Sequence, residues 1–316
     1  MDAIRTEGLR KVHPGTPDGR AAVHGLDLTV AQGEFFGLLG ANGAGKSTTI
    51  GMLTTLVTPT AGRAWVAGRE VGADPVGVKS RIGVVSQAGT LDRALTVADN
   101  LAFRGRYFGL SAAAARRRAA EVLEQFGLAD KARARVHQLS GGQARRVMIG
   151  RALMHLPDVL FLDEPTAGVD PRAREDLWRI IRGLYGAGQT VVLTTHHLDE
   201  AEALCHRLAV IDHGRLLACD TPEAIKAASG ARTVLTVRYD ADASPLRDAL
   251  RRIPGGPHET TVEGPAVRVR TTRPDGLLGH LLRAGADAGL TVRDATTTPP
   301  SLQTAFLTLT GRDYTP

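Results

Sequence analysis

The chain has 316 residues, 43% of them hydrophobic, a formal charge of +6 and two cysteines. That is enough for one large and one smaller domain with packed cores, and it excludes wholesale disorder. Cys205 and Cys219 exclude a disulfide framework and fit a reducing compartment, no apolar run approaches the roughly eighteen residues of a membrane span, and aromatics at 4% argue against a stacking platform for single-stranded nucleic acid.

Residues 2–12 and 21–30 alternate apolar and polar side chains and predict two antiparallel strands joined by a turn at 14–19. A short buried strand follows at 34–39. Residues 40–48, Gly-Ala-Asn-Gly-Ala-Gly-Lys-Ser-Thr, then fit the phosphate-binding loop pattern with a helix opening directly behind them. Gly40, Gly43 and Gly45 let backbone N–H groups, Asn42 among them, turn inward around a polyphosphate, because a Cβ would block the approach. The helix N-terminus directs roughly half a positive charge at the same anion. Lys46 is placed to reach the outer phosphates, and Ser47, with Thr48 beside it, to ligate Mg²⁺.

Residues 56–71 predict a further strand pair, and 82–87 a buried strand ending on Gln87. From 96 to about 135 the pattern is helical, with Gly109 and Gly127 as stops and Ser111 as an N-cap. The cluster Arg116-Arg117-Arg118 falls here and reads as a solvated helix face, so no nucleic-acid partner is expected. Next come Leu139-Ser140-Gly141-Gly142-Gln143 and a helix through 154, the apolar strand 159–162, an amphipathic helix at 173–186, the buried strand 190–195, an acidic helix at 198–204 and a hairpin at 208–218. Strands alternating with helices, several apolar on both faces, predict a mainly parallel sheet covered by helices. A domain boundary is expected near Ser229-Gly230. Beyond it the order is strand (233–238), helix (245–252), strands (259–263 and 266–271), helix (275–287), strand (290–295) and a last helix (301–309), a β-α-β-β-α-β series that predicts a small α+β, ferredoxin-like module.

Asp163 and Glu164 close an apolar strand, at the end of a parallel sheet where ligands bind. Asp163 is the natural holder of Mg²⁺, and Glu164 can orient and polarise an attacking water. Ser140, Gly141 and Gly142 offer a second set of backbone donors at a helix N-terminus. Two phosphate cradles with a single Asp-Glu pair make sense if the second cradle closes on another copy's nucleotide.

The succession of residues 40–48, Gln87, 139–143, 159–164, 168–170 and His196 resembles the ATP-binding subunit of ABC transporters, over roughly residues 3–228. The resemblance implies a P-loop ATPase domain over 1–229, with an antiparallel β subdomain and a helical subdomain at about 90–155, followed by an accessory domain over 230–316. It implies ATP and Mg²⁺ as cofactors, a head-to-tail dimer of two copies around two nucleotides, a separate membrane permease, and a place on the cytoplasmic side of the membrane. It also implies that Gln87 senses the γ-phosphate through Mg²⁺ or water, that Ser140, Gly142 and Gln143 close on the partner copy's ATP, that Asp170 lies in the loop linking the two sites, and that His196 bonds the γ-phosphate. Strand alternation puts His197 on the opposite side. His13 stands where the family has an aromatic residue stacked on adenine.

The closing stretch at 300–312, with 168–170 and 195–201, is similar to the daunorubicin-resistance branch, which implies an exporter of drug-like or amphipathic compounds. The rival readings are an importer ATPase and a soluble, non-transport ABC ATPase. Ribosome-acting proteins of the latter kind carry two cassettes, and DNA-repair ATPases carry long heptad runs between the phosphate loop and the 139–143 segment; this chain has neither.

Overall fold

A computed structural model describes residues 1–15, 19–87, 91–186, 188–230, 232–250 and 259–310. It divides into two compact units, the first ending at Pro222 and the second beginning at Glu223.

The first unit opens with β1 (Asp2–Val12) and β2 (Ala21–Ala31), which pair antiparallel. β3 (Phe35–Leu39) and α1 (Lys46–Leu53) flank the phosphate loop, and β4 (Ala61–Val66) and β5 (Arg69–Glu70) complete a four-stranded antiparallel sheet in the order β2-β1-β4-β5. The next helix, α2 (Pro75–Arg81), has no counterpart in the sequence reading above, although Asp74 before Pro75 marks it. The Asp74 carboxylate accepts from Gly77 N–H, and proline suits the first helical position because its missing donor would be unpaired there anyway.

β6 (Ile82–Val85) leads to three helices that pack together, α3 (Val97–Tyr107), α4 (Ala112–Gln125) and α5 (Gly141–Ala152). Thr96, Ser111 and Ser140 cap them, each accepting from a backbone N–H three residues on. β7 (Val159–Asp163), α6 (Pro171–Gly186), β8 (Thr190–Thr195), α7 (Leu198–Leu204), β9 (Arg207–Asp212) and β10 (Arg215–Asp220) follow.

The main sheet runs β10-β9-β3-β8-β7-β6, parallel throughout except for the β9–β10 hairpin. All five residues of β3 and all six of β8 are buried, as expected of central strands covered on both faces. The register aligns the C-terminal strand ends: Leu39 sits beside Thr195, Asp163 beside Thr194, and Val85 beside Leu162. The phosphate loop, the 163–164 pair, the His196 segment and the Gln87 segment therefore leave neighbouring strands at the same edge, where the order of connections reverses.

The second unit takes in α8 (Pro222–Ala228) from Glu223 on, so the division falls ahead of that helix rather than after it, near 229. β11 (Thr233–Tyr239) is followed by a short 3₁₀ turn at Ser244–Leu246 and α9 (Arg247–Leu250). Residues 251–252 of the expected helix lie outside the described residues, as do 311–312 of the closing stretch. β12 (Glu259–Glu263), β13 (Ala266–Thr271), α10 (Leu277–Asp287), β14 (Val292–Thr298) and α11 (Leu302–Thr310) complete the unit. Its sheet is antiparallel with order β12-β13-β11-β14, the ferredoxin-like arrangement expected of the β-α-β-β-α-β series. Alternate residues Leu235, Val237 and Tyr239 of β11 and Val267 and Val269 of β13 form its core with Leu277 and Leu281 of α10.

Gly285 lets α10 approach that sheet closely. A Cβ there would fall 2.2 Å from Tyr239 Cε1, and the ring is fixed by its hydroxyl, which donates to Leu281 O at 2.8 Å. Gly285→Ala is expected to destabilise this unit by about 1–3 kcal/mol through overpacking. Amide exchange should accelerate in β11 and α10 but not in β3 or β8; unchanged exchange in α10 would disprove the close fit.

Candidate active site

The phosphate loop is shaped by what surrounds it. A Cβ on Gly40 would meet Ile211 O at 2.3 Å, and one on Gly45 would meet Ala22 O at 2.5 Å, while Gly45 also has φ +103° as the N-cap of α1. No other residue type fits at either place. Lys46 opens the helix with 4% of its surface exposed, and its Nζ donates to Gly40 O at 2.7 Å and Ala41 O at 3.1 Å. Burial pushes its ammonium below the usual lysine value, opposed by the charges of Glu164 and Asp163.

The cleft above this loop has a volume of about 720 Å³, and Asn42, Gly43, Ser47, Thr48, Gln87 and Glu164 are among the residues that line it. Glu164 is its hub. One carboxylate oxygen lies 3.8 Å from Lys46 Nζ and 3.0 Å from His196 Nδ1, and the other accepts from Gln87 Nε2 at 3.2 Å. Its backbone is left-handed, φ +46°, a conformation that costs a side-chain-bearing residue about 1–3 kcal/mol. Glu164 N–H donates to Thr194 O and Oγ1, both at 3.1 Å, and its carbonyl accepts from Arg145 Nη2 at 2.7 Å. These bonds hold the strained turn.

Asp163 Oδ1 accepts from Thr194 Oγ1 and, at 3.3 Å, from Ser47 Oγ. One hydroxyl and one carboxylate fit Mg²⁺, which takes hard oxygen ligands, uses few from the protein and takes the rest from phosphate and water. The amide nitrogen of Gln87 turns to Glu164 rather than to this pair.

The structure separates the second cradle from the first. Residues 139–143 do not line the cleft. Ser140 caps α5, its Oγ accepting from Gln143 N–H at 3.2 Å while Gln143 Oε1 accepts from Ser140 N–H at 3.0 Å, so the Gln143 side chain closes its own helix end. Gly142 lets α5 approach α6, where a Cβ would fall 3.0 Å from Ala173 Cβ. Asp170 caps α6 by accepting from Ala173 N–H at 3.0 Å, and of its loop Gly168 and Val169 line the cleft. His13 Nε2 lies 3.4 Å from Thr48 Oγ1, at the outer end of the phosphate loop.

His197 corrects the expectation from strand alternation. It lines the same cleft as His196, their ring centroids 4.2 Å apart, because β8 ends at Thr195 and His197 already stands at the position before the first residue of α7.

Three residues were not singled out from the sequence. Arg174, on α6, also lines the cleft. Arg145 is 8% exposed and donates to four backbone carbonyls. Glu200, on α7, is 1% exposed, and its Oε1 accepts from Thr166 Oγ1 at 2.9 Å and Trp178 Nε1 at 3.0 Å.

The chain that builds this glycine-framed phosphate loop, hydroxyl–carboxylate pair and glutamate beside a histidine is similar to known proteins. Residues 23–167 match the family described as ABC transporter. The chain is 42% identical to the daunorubicin/doxorubicin resistance ATP-binding protein DrrA of Streptomyces peucetius, over 98% of this chain and 92% of that protein. The chain belongs to the ABC transporter family. It is also 41% identical to the Nod factor export ATP-binding protein I of Burkholderia lata, over 93% of each chain. Among solved structures, this ABC protein is similar to the ATP-binding cassette MJ0796 in a dimeric, post-hydrolysis state bound to ADP and Pi, with a TM-score of 0.63 and 26% identity over 69% of this chain and 98% of that one. It is a P-loop ATPase of that family.

Burial pushes the Glu200 carboxyl above the ordinary value of 4.5, against the hydroxyls of Thr195 and Thr166 and the Trp178 indole. A raised value favours the protonated form in the folded chain. That contribution is complete below the unfolded value and lost as pH rises through the folded one. Glu200→Gln keeps the acceptor and is neutral at every pH. Calorimetry should find it more thermostable than the wild-type protein at about pH 8, with the gap closing toward about pH 5; a gap independent of pH would disprove the cost of ionisation.

Proposed function

We propose that this protein is the ATP-hydrolysing subunit of an exporter, and that two copies close head-to-tail around two ATP molecules. The observation that carries the reading is the separation of the two cradles: Lys46, Ser47, Glu164 and His196 line one cleft, with Asp163 bonded to Ser47, while residues 140–143 stand at a helix end that does not line it. A second copy can supply that helix end. The dimeric cassette similar to this chain supports the arrangement.

In this reading the first unit, ending at Pro222, forms the ATP-binding domain and the second an accessory domain. The backbone of Gly40, Asn42, Gly43, Gly45, Ser47 and Thr48, with Lys46, holds the phosphates, and His13 stacks on adenine. Ser47 and Asp163, with Gln87 directly or through water, would hold Mg²⁺, which would supply positive charge against the phosphates. Glu164 aligns a water for in-line attack on the γ-phosphorus and accepts its proton as the P–O bond to the β-bridging oxygen breaks. His196 orients Glu164 and donates a hydrogen bond to the γ-phosphate. Ser140, Gly141, Gly142 and Gln143 complete the partner copy's site, with Asp170 between the two sites. Loss of the γ-phosphate then releases the dimer.

Among the described residues no helix is long and apolar enough to cross a membrane. Transport therefore calls for a separate permease, with this subunit peripheral on the cytoplasmic side. The relatives named for drug resistance and Nod factor export support an exporter over an importer, and a drug-like or amphipathic cargo.

Glu164→Gln is expected to bind MgATP, turn over at least about 100-fold more slowly and accumulate as a dimer, seen as doubled mass by light scattering. A variant that stays monomeric with MgATP would end the composite-site reading. Ser140→Arg should stop turnover by crowding the shared site while ATP binding to the monomer persists. Loss of monomer affinity would instead mean that this helix end serves its own chain.

A further inference from the structure

Arg145 is a buried cation with no anion bonded to it among the described residues. Nε donates to Pro165 O at 2.7 Å, Nη1 to Ser86 O at 2.8 Å, and Nη2 to Asp163 O at 2.9 Å and Glu164 O at 2.7 Å. Four carbonyl oxygens converge on one point from the ends of β6 and β7. Their aligned dipoles repel one another unless a cation sits between them, and only a planar fork can meet all four. Burial holds the guanidinium below its ordinary value, while Asp163, Glu200 and Glu164 favour its charge. None of its bonds is to a loop that grips phosphate.

What Arg145 grips is the backbone that aims two active-site side chains. The Glu164 carbonyl it holds belongs to the left-handed residue whose carboxylate faces Lys46, Gln87 and His196. The Ser86 carbonyl immediately precedes Gln87. Arg145 itself rides on α5, about 7.5 Å along the axis from the Ser140 cap. A displacement of that helix end is carried through one rigid side chain to both strand ends.

We propose that Arg145 is a positioning residue, tying the helix that begins at Ser140 to the carbonyls of Ser86, Asp163, Glu164 and Pro165 and so setting where Glu164 and Gln87 present their side chains. This rests on the reading of Glu164 as acceptor of the water's proton. Each copy's α5 then has two duties: its cap faces the partner copy's nucleotide, and its Arg145 holds the glutamate of its own.

The test compares R145M and R145K with the wild-type protein, alone and in the Glu164→Gln background, by steady-state ATPase kinetics, ATP binding to the monomer and thermal melting. R145M is expected to lower kcat about 100-fold with KM and monomer affinity within about threefold, as a misplacement near 1 Å would. R145K, which keeps the charge and some of the bonds, should recover part of that loss. In the Glu164→Gln background R145M should lower the residual turnover by much less than about 100-fold, because the carboxylate it positions is already gone and only Gln87 is left to misplace. A kcat within about threefold of wild type, a loss of monomer ATP affinity in step with kcat, or a loss that multiplies in the double variant would each overturn the proposal. If R145M melts below the assay temperature, Arg145→Gln, which keeps two donors, carries the same comparison. Wild-type turnover by Glu164→Gln alone would instead remove the reading of Glu164, a result visible without any change at Arg145.

Discussion

A carboxylate 3.8 Å from a buried ammonium, on a backbone bent into the left-handed region, is the interaction on which the rest of the first unit depends. Glu164 and Lys46 lie far apart in sequence and meet because β3 and β7 flank β8 in one register. Had either strand slipped by one residue, the side chain at its end would point to the opposite face of the sheet. The buried packing of β3, β7 and β8 is thus a condition for the chemistry, since it holds the register that brings these strand ends together.

Two buried titratable side chains hold the turn after β7. Arg145 takes the carbonyls of residues 163–165, and Glu200 takes the hydroxyl of Thr166. Neither is a surface ion pair screened by water. Each is enclosed, so its worth lies in the hydrogen bonds it completes, and deleting one side leaves polar groups stranded. The turn carrying Glu164 is consequently clamped by the helix before β7 and by the helix after β8.

What could be read from the chain beforehand was local. The phosphate loop is contiguous, and its glycines, lysine and serine carry their geometry in their spacing. The same holds for Asp163 and Glu164 at a strand end, for the caps Ser111 and Ser140, and for the alternation of β11 and β13. Arg145 was illegible because its partners are carbonyls, which every residue possesses, and one of them belongs to Ser86 on another strand. Glu200 reads as part of an acidic helix until Thr166 and Trp178 fold over it. His197 was misplaced by carrying strand alternation one residue past the last strand position. In the second unit, β14 begins at Val292 rather than 290 because Leu290 N–H still bonds back to Gly285 O and Gly289, at φ +73°, ends the helix. The helix stop, and not the apolar pattern, sets that boundary.

The reciprocal bonds between Ser140 and Gln143 bear on how this protein passes its time between encounters. The two bonds steady this helix end against fraying in water and take up neither the Gly141 nor the Gly142 N–H. The segment that the sequence marks as a second cradle is therefore already ordered in a single copy.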